Sequence, residues 1–309
     1  MSQILCIIDG MADPNFDPKA YRHLSAMQLL REVDTAPNAE AETLNCVLFL
    51  LGVRNIPAHL RGYAEALGAG IPVGPHDLIL RGSWFALDKN GCCTVPCEAP
   101  SVIPRTACRY YPLGDYKCLL VCPGMAQDIE SILTFSPYAC AGQRAQNLCP
   151  KSNDLLRDTF YTLLSDDKCL IPWGQSIPAQ LPPFPQRAAV ICGKSTVKGI
   201  ARLLEMELIE VPGATGDIDT DLTAKTDAVL VAAEHYPFVL LHLNGADEAA
   251  HRRDGVQKRQ FISQVDTLVL AKLLASPHEI LVVSDHGADP ETGLHIGGLQ
   301  PIFIKKILR

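Results

Sequence analysis

Pro237-Phe-Val-Leu-Leu-His-Leu243 and Glu279-Ile-Leu-Val-Val-Ser284-Asp285-His286-Gly287 decide the fold. Each is a short apolar run of the kind a strand buried on both faces requires, and each ends in polar, chemistry-bearing residues. The first continues as Asn244-Gly-Ala-Asp247-Glu-Ala-Ala-His251, the second towards Gly293-Leu-His295-Ile-Gly-Gly298. In an open α/β sheet, ligands sit in the crevice at the carboxyl ends of the strands. A helix starting near Asp247 puts Asp247 and His251, four residues apart, on one face. Asp285 and His286 are adjacent at a strand end, where side chains alternate direction, so they address two different points. Ionised carboxylates and neutral imidazoles are ligands for Zn²⁺ or Mn²⁺. Three histidines and two aspartates so placed point to two ions rather than one. A lone Asp-His pair after a strand is more often a cap or a hydrogen-bonded pair. The weight comes from finding DxxxH, DHG and a third His within about fifty residues, at the ends of successive strands.

Working outward, Gln3-Ile-Leu-Cys-Ile-Ile8 is another apolar run and ends in Asp9-Gly10. By itself Asp9 reads as a turn residue. With parallel strands it shares a sheet edge with Asp247 and Asp285. After the polar loop that follows Thr35, Thr43-Leu-Asn-Cys-Val-Leu-Phe-Leu-Leu-Gly52 reads as an apolar helix, with Glu42 or Thr43 as its N-cap. A hydroxyl at a helix N-terminus faces free amides and suits phosphate. Next to a metal it becomes a nucleophile; alone, it is usually just a cap.

Strands alternate with helices elsewhere too. Arg187–Cys192 reads as a strand and Thr196–Met206 as a helix capped by Ser195 or Thr196. Glu207–Val211 is a strand leading into Pro-Gly-Ala-Thr-Gly216, and Asp221–His235 is a helix. This alternation predicts a mainly parallel α/β sheet with helices on both faces. Between residues 57 and 175 the character changes: nine of the twelve cysteines lie between 92 and 169, and Asp77–Leu87 and Tyr116–Cys122 read as strands. Asp88-Lys-Asn-Gly91 reads as a hairpin turn and Asn153–Ser165 as a helix. The expected organisation is a core of residues 1–56 and 176–309 with an inserted α+β domain of residues 57–175. The Pro-rich Ile177–Pro185 is the returning linker, and Trp173-Gly-Gln175 is a hinge or a packing element at the junction.

The chain has 309 residues, 48% hydrophobic and 20% charged, with a net charge of −7. The absence of a basic block argues against a nucleic-acid partner. No apolar run approaches the ~20 residues that span a bilayer. No secretory signal is read at Met1-Ser-Gln-Ile-Leu, so a cytoplasmic, reducing setting with free thiols is expected.

Several segments resemble the archaeal-type cofactor-independent phosphoglycerate mutases of the alkaline phosphatase superfamily. They are Ile7-Ile-Asp9-Gly-Met-Ala-Asp13, Arg61-Gly-Tyr-Ala-Glu-Ala-Leu-Gly-Ala-Gly-Ile-Pro72, Pro172-Trp-Gly-Gln175, Val197-Lys-Gly-Ile200 and Val211-Pro-Gly-Ala-Thr-Gly216. Asp247-Glu-Ala-Ala-His251, Asp285-His286 and His295 complete the set, in family order over nearly the whole chain. The resemblance implies a core with two divalent ions, Mn²⁺ or Zn²⁺ with Mg²⁺ as the third option. Asp247, His251 and His295 would hold one ion; Asp9, Asp285 and His286, with the oxygen of Thr43, the other. Thr43 falls where the family has its serine nucleophile. Arg61, Arg81, Lys117 and Lys198 are the candidates for holding a small phosphorylated metabolite, in a cleft between core and insert. The implied reaction interconverts 3-phosphoglycerate and 2-phosphoglycerate through phospho-Thr43.

The departures from the family pattern are Thr43 for Ser, Leu44 for an acidic residue, Lys117 for Arg and Gly297-Gly298 after His295. They leave the metal ligands alone and touch substrate handling. The alternative is therefore a metal-dependent phosphatase or phosphotransferase acting on another small phosphorylated metabolite. A non-catalytic binding protein ranks third, because six buried ligands are costly to keep without metal.

Overall fold

The computed structural model describes residues 2–37 and 39–305. The strands are β1 (Gln3–Ile8), β2 (Gln28–Asp34), β3 (Leu78–Leu87), β4 (Cys93–Pro96), β5 (Arg109–Gly114), β6 (Lys117–Cys122) and β7 (Lys168–Ser176). They continue with β8 (Ala188–Ile191), β9 (Glu207–Leu208), β10 (Phe238–Leu243), β11 (Glu279–Val283), β12 (Gly287–Ala288), β13 (His295–Ile296) and β14 (Leu299–Ile304). The α-helices are α1 (Arg22–Ala26), α2 (Thr43–Leu50), α3 (Arg61–Gly68), α4 (Asp154–Thr162), α5 (Ser195–Leu203), α6 (Leu222–Ala233), α7 (Gly245–His251), α8 (Gly255–Gln264) and α9 (Ala271–Ala275). No helix among the described residues is long and apolar enough to cross a membrane.

The chain divides into two compact units: Met1–Ile56 with Leu181–Arg309, and Pro57–Gln180. The crossing back lies later than residue 175 because β7 runs to Ser176 and pairs antiparallel with β3. Trp173-Gly-Gln175 is therefore a piece of strand. The Trp173 indole is buried and donates to Ser83 Oγ at 3.1 Å, so it packs and does not hinge.

The first unit is built on a seven-stranded sheet in the order β2-β14-β11-β1-β10-β8-β9. β1 runs parallel to both β10 and β11, β10 to β8 and β8 to β9, while β14 and β2 close one edge antiparallel. The apolar runs at 3–8, 238–243 and 279–283 thus became adjacent central strands. Alternate residues face opposite sides. Ile4, Cys6, Ile8, Val239, Leu241 and Leu243 pack with Val229 of α6, Phe261 of α8 and Val269 in one core. Leu5, Ile7, Leu240 and His242, of the other parity, are buried as well, so both faces are covered. The register places Ile8 beside Leu243 and Ile7 beside Val283. The residues after these three strands (Asp9, Asn244 and Ser284) therefore emerge at one edge.

Some elements are shorter than expected. The strand at 207–211 keeps two residues, Glu207–Leu208, before the Pro212-Gly213 turn. The segment 13–34 contains α1 and the edge strand β2, whose mostly exposed pattern carries no apolar run.

The second unit carries the order β4-β3-β6-β5, with β7 also paired to β3. Asp88 sits at the turn after β3, its Oδ1 accepting from the amides of Asn90 and Cys92. Asn153 caps α4 by accepting from the Leu156 amide. One cysteine pair departs from the expected free thiols: Cys108 and Cys122 form a disulfide. The β5–β6 register, with Arg109 beside Val121, puts Cys108, just before β5, opposite Cys122 at the end of β6.

Candidate metal centre

The first unit gathers its chemistry at the carboxyl edge of the sheet. Asp9 leaves β1, Asp247 stands on α7 directly after β10, and Asp285 and His286 follow β11. Asp9, Asp247, Asp285 and His286 are fully or almost fully buried. Gly10 makes this convergence possible: its φ is +65°, and a Cβ there would lie 2.9 Å from the Asp247 Cα. The Gly10 amide meets Asp285 Oδ1 at 3.3 Å, which ties the turn after β1 to the turn after β11.

Two triads have ligand atoms close enough for one ion each: Asp9, Asp285 and His286, and Asp247, His286 and His295. His286 belongs to both. α7 starts at Gly245 and puts His251 Nε2 3.4 Å from Asp247 Oδ2, as the four-residue spacing requires. His251 Nε2 is also 3.1 Å from His295 Nε2, which in turn is 3.3 Å from Asp247 Oδ1.

The tautomers follow from the backbone. His251 Nδ1 meets the Gly293 carbonyl at 2.8 Å, His286 Nδ1 the Gly287 carbonyl at 3.1 Å and His295 Nδ1 the Ala41 carbonyl at 2.7 Å. A carbonyl only accepts, so each Nδ1 holds the proton and each Nε2 presents a bare lone pair. Asp9 Oδ1, Asp247 Oδ1, Asp285 Oδ2 and His286 Nε2 are buried with no hydrogen-bond partner. Clustered buried acceptors are costly unless a cation satisfies them. The donor set of hard carboxylate oxygens and neutral imidazoles fits Mn²⁺ or Zn²⁺.

The electrostatics agree. Burial, and then the charge of Asp285, raise the Asp9 carboxyl to about 8. Burial, and then Asp247, raise Asp285 to about 6. Burial draws His286 down to about 4 and keeps it neutral. Asp247 behaves differently: burial would raise it, but the Lys194 ammonium together with the His251 and His295 rings outweighs that and holds it well below the usual carboxylate range.

Thr43 opens α2 and is 2% exposed. Its Oγ1 is 3.5 Å from Asp9 Oδ2 and 3.1 Å from Lys194 Nζ. The N-cap is Glu42, which makes no side-chain capping bond, so the Thr43 hydroxyl is turned to the acid cluster instead.

Lys194 is the residue that sequence reasoning missed. Its Nζ lies 3.2 Å from Asp9 Oδ2 and 3.4 Å from Asp247 Oδ2, as well as against Thr43. The expectation had been Lys198, which the structure turns to Glu210 instead, at 2.8 and 3.1 Å. The reason is local: α5 begins at Ser195, so neither Ser195 nor Thr196 caps it, and Lys194 occupies the extended N-cap position. Gly193 before it packs so tightly that a Cβ would meet the Thr215 carbonyl oxygen at 2.0 Å. Pro212-Gly-Ala-Thr-Gly216 is thus a wall behind Lys194, and Lys225 Nζ holds the Thr215 carbonyl at 3.0 Å. A signal was present: a strand, then Gly193-Lys194-Ser195-Thr196 opening a helix.

Arg61, Arg81 and Lys117 lie in the second unit. Glu65 is buried between two of them, 3.4 Å from Arg61 Nε and 2.7 Å from Arg81 Nε. The Arg81 guanidinium stacks on Trp173 with its carbon 4.2 Å from the ring centroid; for Arg61 the distance is 5.4 Å. Lys117 Nζ sits 5.2 Å from the Tyr116 ring centroid.

Residues 178–306 match the model of the Metalloenzyme superfamily. A phosphoglycerate mutase 1 of the 2,3-bisphosphoglycerate-independent kind from Methanothermobacter thermautotrophicus is 36% identical, over 98% of this chain and 88% of its own. One from Methanococcus aeolicus is 33% identical with the same coverage. The chain belongs to the 2,3-bisphosphoglycerate-independent phosphoglycerate mutase family. Solved structures share its fold. A Pyrococcus horikoshii protein aligns with a TM-score of 0.70 at 18% identity, over 98% of this chain and 87% of its own. The cofactor-independent phosphoglycerate mutase of Thermoplasma acidophilum aligns with 0.54 at 18%, over 100% and 90%. This mutase-family chain thus combines a mainly parallel α/β sheet with a cluster of acids and imidazoles at its carboxyl edge.

Proposed function

We propose that this chain interconverts 3-phosphoglycerate and 2-phosphoglycerate by passing the phosphoryl group through Thr43, with two divalent ions held by Asp9, Asp285 and His286 and by Asp247, His251 and His295. The observation that carries this is the position of the Thr43 hydroxyl, 3.5 Å from a metal-type carboxylate and 3.1 Å from a lysine ammonium. Bound divalent ions would neutralise charge developing on the attacking and leaving oxygens. Asp9 Oδ2 is placed to accept the Thr43 proton as the Oγ1–P bond forms and the substrate's C–O–P linkage breaks at phosphorus. The released glycerate alkoxide takes that proton back from Asp9; its other hydroxyl then attacks phospho-Thr43 and gives its proton, through Asp9, to the departing Thr43 oxygen, restoring the threonine. Lys194, with its ammonium 3.1 Å from the Thr43 oxygen, is suited to meet the transferring phosphoryl oxygens, the role expected of Lys198. Arg61 and Arg81, held by Glu65 and Trp173, are suited to a carboxylate or phosphate; Lys117 offers a point charge.

The same residues serve a phosphatase if water instead of a glycerate hydroxyl attacks phospho-Thr43. The substitutions Leu44 beside the nucleophile and Lys117 for Arg favour that second reading, since both touch substrate retention and not the ions. The test is to supply 3-phosphoglycerate with Mn²⁺ or Zn²⁺ and to follow 2-phosphoglycerate and free phosphate together. Isomer without phosphate is the expected result; phosphate without isomer selects the phosphatase, and neither product rejects the mutase reading and turns the search to another phosphorylated metabolite.

A further inference from the structure

His242 is fully buried on β10, and neither of its ring nitrogens has a hydrogen-bond partner. A buried imidazole without partners is costly, and nothing in the mechanism above uses it. Its surroundings offer one explanation. The register pairs His242 with Ile7, two residues before Asp9, on the same face of the sheet. His242 Nε2 therefore comes within 3.5 Å of Asp9 Oδ2, with both side chains wholly out of solvent.

We propose that His242 is a positioning residue for Asp9: its ring directs Nε2–H at Oδ2 and so keeps Oδ1 turned towards the ion-binding side. The two carboxylate oxygens already face different groups. Oδ1 is 3.3 Å from His286 Nε2, whereas Oδ2 faces Lys194, Thr43 and His242. Lys194 reaches Asp9 on a flexible stem and Thr43 has its own task. His242 is anchored in a central strand, so it fixes the carboxylate rotation from the backbone register. Groups that orient a metal ligand from behind are worth about 10–100-fold in metal affinity.

This inference rests on the metal-binding part of the proposed function, and the experiment separates the two. Mn²⁺ is titrated calorimetrically into the chelator-treated full chain, wild type, His242→Leu and His242→Gln, with urea midpoints measured on the same samples. His242→Leu is expected to weaken Mn²⁺ binding by about 10–100-fold while the metal-free urea midpoint holds or rises. His242→Gln, which keeps an N–H at similar reach, is expected to recover most of the affinity. A His242→Leu affinity within twofold of wild type overturns the role of His242 alone. Wild type binding no Mn²⁺ overturns the metal centre and His242 with it. Selective ¹⁵N-histidine spectra of the wild type read the same proposal without a variant. The Nε2–H tautomer of His242 is expected, and the Nδ1–H tautomer overturns it.

Discussion

At the residue scale, His286 lies within reach of both ligand triads, while His251 approaches Asp247 and His295 of the second. His286→Ala is therefore expected to lower bound metal more than His251→Ala, measured as metal per chain by mass spectrometry after dialysis. Thr43→Ala should reduce turnover by about three orders of magnitude or more, as loss of a nucleophile does, with metal content unchanged. Thr43→Ser, which keeps the hydroxyl and frees χ1, should retain turnover; equal turnover in Thr43→Ala and wild type would remove the nucleophile from the scheme. Lys225 gives a pH signature. Burial lowers its ammonium to about 8, below the ordinary 10.5. Between those values the unfolded chain binds the proton that the folded one has released, so stability rises with pH there and the burial penalty is constant below it. The urea midpoint of the wild type relative to Lys225→Met should thus be flat from pH 6 to 7.5 and climb towards pH 9.5.

At the element scale, the wall formed by residues 212–216 behind Lys194 leaves no room for a side chain at Gly193. Gly193→Ala must push the Thr215 backbone or shift Lys194. A stability loss of about 2–4 kcal/mol is expected, with turnover falling further than chemical denaturation alone explains. The central strands were legible because β1, β10 and β11 are continuous apolar runs, and their ends gave Asp9, Asp247, Asp285 and His286 the right edge. Helix α7 was legible from the Asp247–His251 spacing. β2 was not, because an exposed edge strand carries no apolar period. Lys194 was not, because the choice between residues 194 and 198 turns on where α5 begins, and helix starts are poorly fixed when no side chain caps them. The disulfide escaped because pairing depends on strand register, which cysteine spacing does not encode.

At the scale of the molecule, ion binding and folding are linked, since Asp9, Asp247, Asp285 and His286 come from three strand ends that only the finished sheet brings together. Chelation should lower the melting temperature of the protein by roughly 5–10 °C relative to metal at a hundred times its dissociation constant, read by calorimetry. An unchanged melting point would show that the cluster is satisfied without ions. The sheet order has a consequence for synthesis. The Gly10 amide answers to Asp285, 275 positions later, and β1 lies between two strands that follow the whole insert. A ribosome that has finished the insert has made Asp9 and Thr43 but none of the imidazoles of the cluster. On the proposed scheme the nascent chain completes its first ligand triad only once His286 has been made and the second only once His295 has, so shorter chains would be inert in that reaction.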